Sequence, residues 1–177
     1  LYPHAQRMDD EDWFPDDFFK RMGDAGFLGV SVPTEWGGQG LSIFEGGLIL
    51  QALGRWNHGL ALAYLCHDSL CMNTILRNAD DEQKQWALPD LCAGTKVGAL
   101  AMTEPEAGSD LLGSISTTAR KDGDGYILNG TKKFIGNGPT ADILMVMTRA
   151  DPQGGLSAFM LPSDSPGFEV VRNIEKM

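Results

Sequence analysis

Two short segments hold the side chains best suited to receive a ligand: Ala101-Met-Thr-Glu-Pro-Glu-Ala-Gly-Ser-Asp110 and Asn129-Gly-Thr-Lys-Lys-Phe-Ile-Gly-Asn-Gly138. In the first, Pro105, Ala107 and Gly108 keep the side chains short, so a planar ligand can approach the backbone closely. Thr103 and Ser109 each offer a hydroxyl that both donates and accepts. Such groups suit the edge of a heteroaromatic ring system carrying carbonyls and ring nitrogens, such as an isoalloxazine. The same residue types also make an ordinary Gly/Pro/Asp turn between strands, which needs no ligand.

Three other constellations resemble sites and are rejected. Gly136-x-Gly138-x-x-Ala141 fits a loose dinucleotide fingerprint, but that motif needs a helix after it. Here Ile143-Leu-Met-Val-Met-Thr148 follows and reads as a strand. His67, Asp68 and Ser69 name a hydrolase triad, yet neighbours on a helix point about 100° apart and cannot line up. Asp9 to Asp12 with Asp16 and Asp17 is an acidic cluster read as a solvated surface that also assists a helix start. No metal site is expected, because His4, His58 and His67 are scattered and the cysteines are few.

The elements that must position these segments change character along the chain. Pro15-Asp16-Asp17 suits a helix start, with Phe18, Phe19 and Met22 on one side and Gly26 as a stop. Ser42 with Glu45, and Asp80 with Gln83, are capping-box patterns that open two further helices. Leu60 to Leu76 is a largely apolar helix in which Leu62, Cys66 and Leu70 recur every four residues along one face. Pro89 should break or restart the helix containing Trp86. After Gly94 the period becomes that of strands: Val97–Met102, Ser114–Arg120, Tyr126–Asn129, Ile143–Thr148 and Ala158–Leu161. Asp122-Gly-Asp-Gly125 is a turn signal between the second and third of them. Helices first and strands afterwards give an α+β class with two segregated domains, 1–93 and 94–177.

Composition narrows the possibilities. With 42% apolar and 21% charged residues among 177, a globular chain is expected rather than disorder. The net charge of −10 argues against a nucleic-acid partner, which needs clustered Lys and Arg. Apolar runs are too short and interrupted for membrane insertion. Cys66, Cys71 and Cys92 are odd in number and form no Cys-x-x-Cys, which favours a reduced, intracellular chain. That place would be cytoplasmic in a bacterium, with a mitochondrial location open. Leu1-Tyr-Pro-His-Ala-Gln-Arg reads like the interior of something longer.

Thr103-Glu-Pro-x-Ala-Gly-Ser-Asp110 resembles the signature of the acyl-CoA dehydrogenase family at nearly every position. Val32-Pro-Thr-Glu-Trp-Gly-Gly-Gln-Gly40 is similar to that family's Pro-x-x-(aromatic)-Gly-Gly-x-Gly loop, and Tyr126-Ile-Leu-Asn-Gly-Thr-Lys132 to its next hairpin. The resemblance covers most of the chain in order. It implies an all-α N-terminal domain followed by a β-barrel-like middle domain, truncated before a C-terminal helical bundle.

The resemblance further implies FAD as cofactor, lined by Leu100, Met102, Thr103, Gly108, Ser109, Phe134, Ile135 and Gly136. The family usually has Thr or Ser at the place of Gly136, where its hydroxyl faces the flavin N5. Ser109 would also lie near the bound thioester. Leu62, Cys66 and Leu70 would wall the fatty-acyl tail, a role compatible with plain core packing of the same helix. The implied reaction is α,β-dehydrogenation of an acyl-CoA to a trans-2-enoyl-CoA, with electrons passing to an electron-transfer flavoprotein and a homo-oligomer as the complete assembly. The family's catalytic Glu falls beyond Met177, so no catalytic residue is assigned within the chain, and Glu104 and Glu106 are not promoted to base. Alternatives are an acyl-CoA oxidase or flavin monooxygenase of the same fold, or a non-catalytic fragment.

Overall fold

Capping chemistry sets two of the helix starts, those at Ser42 and Asp80. The computed structural model describes residues 4–11, 13–150 and 155–174. They fall into two compact units, Leu1–Gly98 and Ala99–Met177.

In the first unit, α1 (Ala5–Asp10) precedes α2 (Phe18–Asp24), whose Phe18, Phe19 and Met22 are buried as their spacing predicts. Asp9 and Asp10 are exposed, and Asp12 lies outside the described residues. A 3-10 turn at Thr34–Trp36 leads to Gly37 and Gly40, both at positive φ. Both capping boxes form. Ser42 accepts from the Phe44 N–H at the start of α3 (Ile43–Gly54), and Glu45 reaches back to the Ser42 N–H at 2.9 Å. Asp80 accepts from Gln83 N–H at 2.8 Å, and Gln83 from Asp80 N–H at 3.1 Å, to open α6 (Asp81–Cys92).

Two expectations fail here. Pro89 does not break α6, which continues to Cys92. Its ring removes a single intrahelical bond near the helix end, while Ala87, Leu88, Leu91 and Cys92 bury the inner face and hold the turn. The helix expected over Leu60–Leu76 is not α-helical throughout. It runs as α4 (His58–Tyr64), a π-helical stretch (Leu65–Met72) and α5 (Asn73–Asn78). Bonding from i to i+5 widens the turn, so residues four apart no longer stack on one face. Cys66 is buried at 7% exposure, while Leu62 and Leu70 stand out at 44% and 38%.

The second unit is a mixed five-stranded sheet built from β1 (Gly98–Ala101), β2 (Thr118–Asp122), β3 (Gly125–Asn129), β4 (Ile143–Ala150) and β5 (Leu156–Pro162). The strand order is β1-β4-β2-β3, with β5 also paired to β4. β2 and β3 form an antiparallel hairpin closed by the Asp122–Gly125 pair, with Gly123 at φ 59°. β2 meets β4 in parallel through Thr118–Arg149 and Ala119–Ala150. The core joins Ala99, Ala101, Ala141, Leu144 and Val146, with Leu128, Ile135, Leu161 and Phe168 packed against it.

The strand expected from Ser114 begins only at Thr118, and Leu111–Ser114 is a short helix, α7. Asp110 caps it, accepting from the Gly113 N–H at 3.1 Å and the Ser114 hydroxyl at 2.9 Å. The N–H groups of Ser116 and Thr117 are taken by the Glu104 carboxylate, which withdraws them from the ladder. Among the described residues, no helix is long and apolar enough to cross a membrane.

Candidate functional site

The segment after β1 is shaped by a turn around Pro105. Glu104 and Ala107 exchange backbone hydrogen bonds, Glu104 N–H to Ala107 O at 2.9 Å and Ala107 N–H to Glu104 O at 3.2 Å. Proline at the second turn position supplies its preset φ. Met102 and Thr103 are half-buried, while Gly108 and Ser109 are exposed beyond the turn. A methyl group at Gly108 would meet nothing within 4 Å, so the ground above this backbone is open.

Glu104 is buried, and its carboxylate is a hub. It accepts from the Ser116 N–H at 2.6 Å, the Ser116 hydroxyl at 2.7 Å, the Thr117 N–H at 3.0 Å and the Thr117 hydroxyl. Lys132 Nζ completes the set at 2.8 Å from Oε1. Burial would raise the Glu104 pKa, but the Lys132 ammonium and the Thr117 and Ser116 donors outweigh it and hold the carboxyl far below the usual range. A carboxylate so committed is a poor proton acceptor.

The second segment is drawn onto the first by two consecutive lysines. Lys132 Nζ also donates to the Met102 carbonyl at 3.1 Å, and the Lys133 N–H donates to the Thr103 carbonyl at 2.8 Å. Gly130 lies hard against Thr117, where a Cβ would come within 2.3 Å of Oγ1. Phe134 then takes φ 58°, uncommon for a bulky residue, and its ring is 64% exposed with Lys133 Nζ 4.7 Å from its centroid. Ile135 turns inward onto the sheet core, and Gly136 opens a turn in which Gly138 N–H donates to Ile135 O at 3.1 Å. That turn leads into β4 and not into a helix, which disposes of the dinucleotide fingerprint.

The structure therefore gathers Met102, Thr103, Phe134, Ile135 and Gly136 around one junction of two loops. Leu100 is a half-buried residue of β1, one position from the buried Ala101. Leu62, Cys66 and Leu70 belong to the helical unit. What residue-type reasoning missed is the clamp itself, Glu104 with Lys132. The pairing spans 28 residues, and no local periodicity signals it. Lys132 does close the quoted hairpin motif, which was the one available hint.

The rejected triad proves structural. His67 is fully buried, with Nδ1 accepting from the Gly98 N–H at 2.9 Å and Nε2–H donating to the Leu91 carbonyl at 3.0 Å. Both ring nitrogens are thus spent on backbone. Asp68 Oδ2 accepts from the Gly29 N–H at 2.6 Å. Cys66, Cys71 and Cys92 are all buried.

The sequence profile described as "Acyl-CoA dehydrogenase, N-terminal domain" matches residues 1–95, and "Acyl-CoA dehydrogenase, middle domain" matches residues 99–177. A mitochondrial isovaleryl-CoA dehydrogenase from Pongo abelii is 39% identical over all of this chain and 43% of its own length. The crystal structure of an acyl-CoA dehydrogenase from Geobacillus kaustophilus superposes with TM-score 0.92 at 38% identity, covering 99% of this chain and 47% of that one. A glutaryl-CoA dehydrogenase from Mycobacterium smegmatis, solved in complex with FADH2, gives TM-score 0.88 at 35% identity over 94% of this chain and 42% of that one. The chain thus spans less than half the length of the curated relatives it matches.

Proposed function

The chain belongs to the acyl-CoA dehydrogenase family, and we propose that the whole protein carries out FAD-dependent α,β-dehydrogenation of an acyl-CoA thioester to its trans-2-enoyl-CoA. The observation that carries this reading is the joining of the two loops. Lys132 and Lys133 pin the Met102 and Thr103 carbonyls, and Phe134, at positive φ, stands exposed just after the two lysines in the chain.

The residues fit a flavin. The space above Gly108 is open, Thr103 and Ser109 supply hydroxyls, and Phe134 offers an exposed face. Leu100, Met102, Thr103, Gly108, Ser109, Phe134, Ile135 and Gly136 would hold the cofactor. Ile135, turned into the core, would do so through its backbone. Bound FAD would supply the acceptor for the substrate's β-hydrogen.

Residues 1–177 orient and enclose. Thr103 positions the ring edge, Ser109 meets the thioester end, and Leu62, Cys66 and Leu70 set acyl-chain preference. Of the three, Leu62 and Leu70 present exposed side chains. The α-proton of a thioester is a weak acid and needs a positioned base. Glu104 is committed to five donors and does not serve as that base. An electron-transfer flavoprotein as electron acceptor and a homo-oligomeric assembly belong to the same proposal.

The test is the visible spectrum of the protein as its gene encodes it, before and after anaerobic addition of an acyl-CoA panel. A flavin band that bleaches supports the reading, and absence of flavin binding would overturn it. Gly136 motivates a second reading, an oxidase of the same fold, because a hydroxyl residue is absent there. Rapid peroxide release on reoxidation would favour it over the dehydrogenase.

A further inference from the structure

We propose that Glu104 and Lys132 are positioning residues for the flavin: a buried ion pair that sets Thr103 between two anchors and so fixes the edge it offers to the cofactor. The inference rests on the flavin-binding reading above and goes beyond it, since neither residue is among those assigned to touch FAD.

Thr103 is preceded by Met102, whose carbonyl accepts from Lys132 Nζ at 3.1 Å. It is followed by Glu104, whose carboxylate accepts from the same ammonium at 2.8 Å. The Thr103 carbonyl itself accepts from the Lys133 N–H at 2.8 Å. The backbone on both sides of the threonine is therefore tied to one short stretch of the second loop. The ammonium is nearly enclosed, with 11% of the Lys132 side chain and 1% of the Glu104 side chain exposed. A pair this deep resists solvent screening, and its geometry holds where a surface pair would wander.

The Glu104 carboxylate is anchored further, through both of its oxygens. It takes the N–H and hydroxyl groups of Ser116 and Thr117, immediately before β2. Thr117 O in turn accepts from the Arg149 N–H of β4 at 2.8 Å. The threonine is thus referenced through one carboxylate to the frame of the sheet. Preorganised groups bind a ligand without the cost of ordering them at the moment of binding. Loss of the pair leaves Thr103 present but unregistered.

The experiment uses the protein as its gene encodes it, with Glu104→Gln, Lys132→Gln and the double variant. Three quantities are read: the thermal midpoint of the apoprotein, the FAD dissociation constant by flavin-fluorescence titration, and the visible circular dichroism of the FAD-saturated protein. Lys132→Gln is expected to weaken FAD binding by about tenfold or more and to alter the flavin dichroism at saturation. The double variant leaves no uncompensated buried charge, so it remains foldable if a single variant does not. It is expected to show the same weakening and the same altered spectrum. Variants with a lowered thermal midpoint but wild-type FAD affinity and dichroism would overturn the proposal and leave the pair as a support of the fold alone. Wild-type protein that fails to bind FAD would instead overturn the flavin reading itself, a result distinguishable from failure of the pair.

Discussion

His67 and Asp68 are adjacent in the π-helical stretch, both buried, and the fold pushes their protonation in opposite senses. Burial lowers the His67 pKa from 6.5 to about 4, against the backbone bond to Leu91, and keeps the ring neutral. Burial raises the Asp68 pKa from 3.8 to about 6, against its bonds from Gly29 and Val30. Between pH 6.5 and 4.5 the unfolded chain takes up a proton at the histidine that the fold refuses, so acid destabilises through His67. Over most of the same window the folded protein takes up a proton at Asp68 that the unfolded chain does not, so acid stabilises through Asp68. Each effect is worth about 3 kcal/mol across its full range.

The wild-type first unit should therefore show a nearly flat stability in that window. Asp68→Asn should lose stability as pH falls from 6.5 to 4.5, and His67→Gln should gain it. Urea midpoints measured at steps across the window decide this. Parallel slopes for the two variants would contradict it.

Gly130 and Gly108 should separate packing from ligand approach. Gly130→Ala drives a methyl into Thr117 Oγ1 and is expected to lower stability by about 1–3 kcal/mol. Gly108→Ala meets nothing and should leave the stability of the apoprotein within about 0.5 kcal/mol of wild type. If the flavin sits over that backbone, Gly108→Ala nevertheless weakens FAD binding. Unchanged affinity would remove Gly108 from the site.

Arg149 gathers three carbonyls at the end of α7: Nε donates to Ile115 at 3.0 Å, and Nη2 to Leu112 at 2.5 Å and Gly113 at 3.3 Å. Arg149→Met should destabilise by about 1–3 kcal/mol, because the carbonyls lose charged donors. Arg149→Lys should recover only part of this, lacking the planar fork. Full recovery in a denaturant titration would show that charge alone matters.

Removing either helix cap should cost about 1 kcal/mol: Ser42→Ala at α3 and Asp80→Ala at α6. Equilibrium unfolding of the two variants gives the values directly. A loss below a few tenths would mean that burial alone fixes those helix starts.

What was legible in the residues is mostly local. Ser42 with Glu45, and Asp80 with Gln83, act within one helical turn, so their spacing announces them. The Asp122–Gly125 turn is equally local, and the loop signature at Thr103–Asp110 stands as a nearly unbroken string. The misreadings share a different cause. Ser114–Thr117 carries strand-favouring residues, but the Asp110 and Leu111 carbonyls take the Ser114 and Ile115 N–H groups, and the distant Glu104 carboxylate claims those of Ser116 and Thr117. A four-residue period assumes α geometry, and the π-helical turn around Cys66 breaks it without any breaker residue in the sequence. Pro89 is a breaker that fails to break, because the apolar face around it is buried. Glu104 and Lys132 meet only when the two loops meet, and their partnership has no one-dimensional signal.

The strand order β1-β4-β2-β3 also has a consequence in time. The β2–β3 and β4–β5 hairpins join sequence neighbours and can close early, whereas the pairings of β1 and of the β2–β3 hairpin with β4 must wait for β4 to be made. Refolding of this unit should be paced by the arrival of β4. Gly123→Val, which places a β-branched residue at φ 59°, should slow refolding if its hairpin is already formed at the barrier, and should only hasten unfolding if it is not. The junction of the two loops, which depends on strands from both sides, would then be the last part of the unit to mature, so that a newly made chain acquires its ligand-facing surface only after the rest of its sheet is in place.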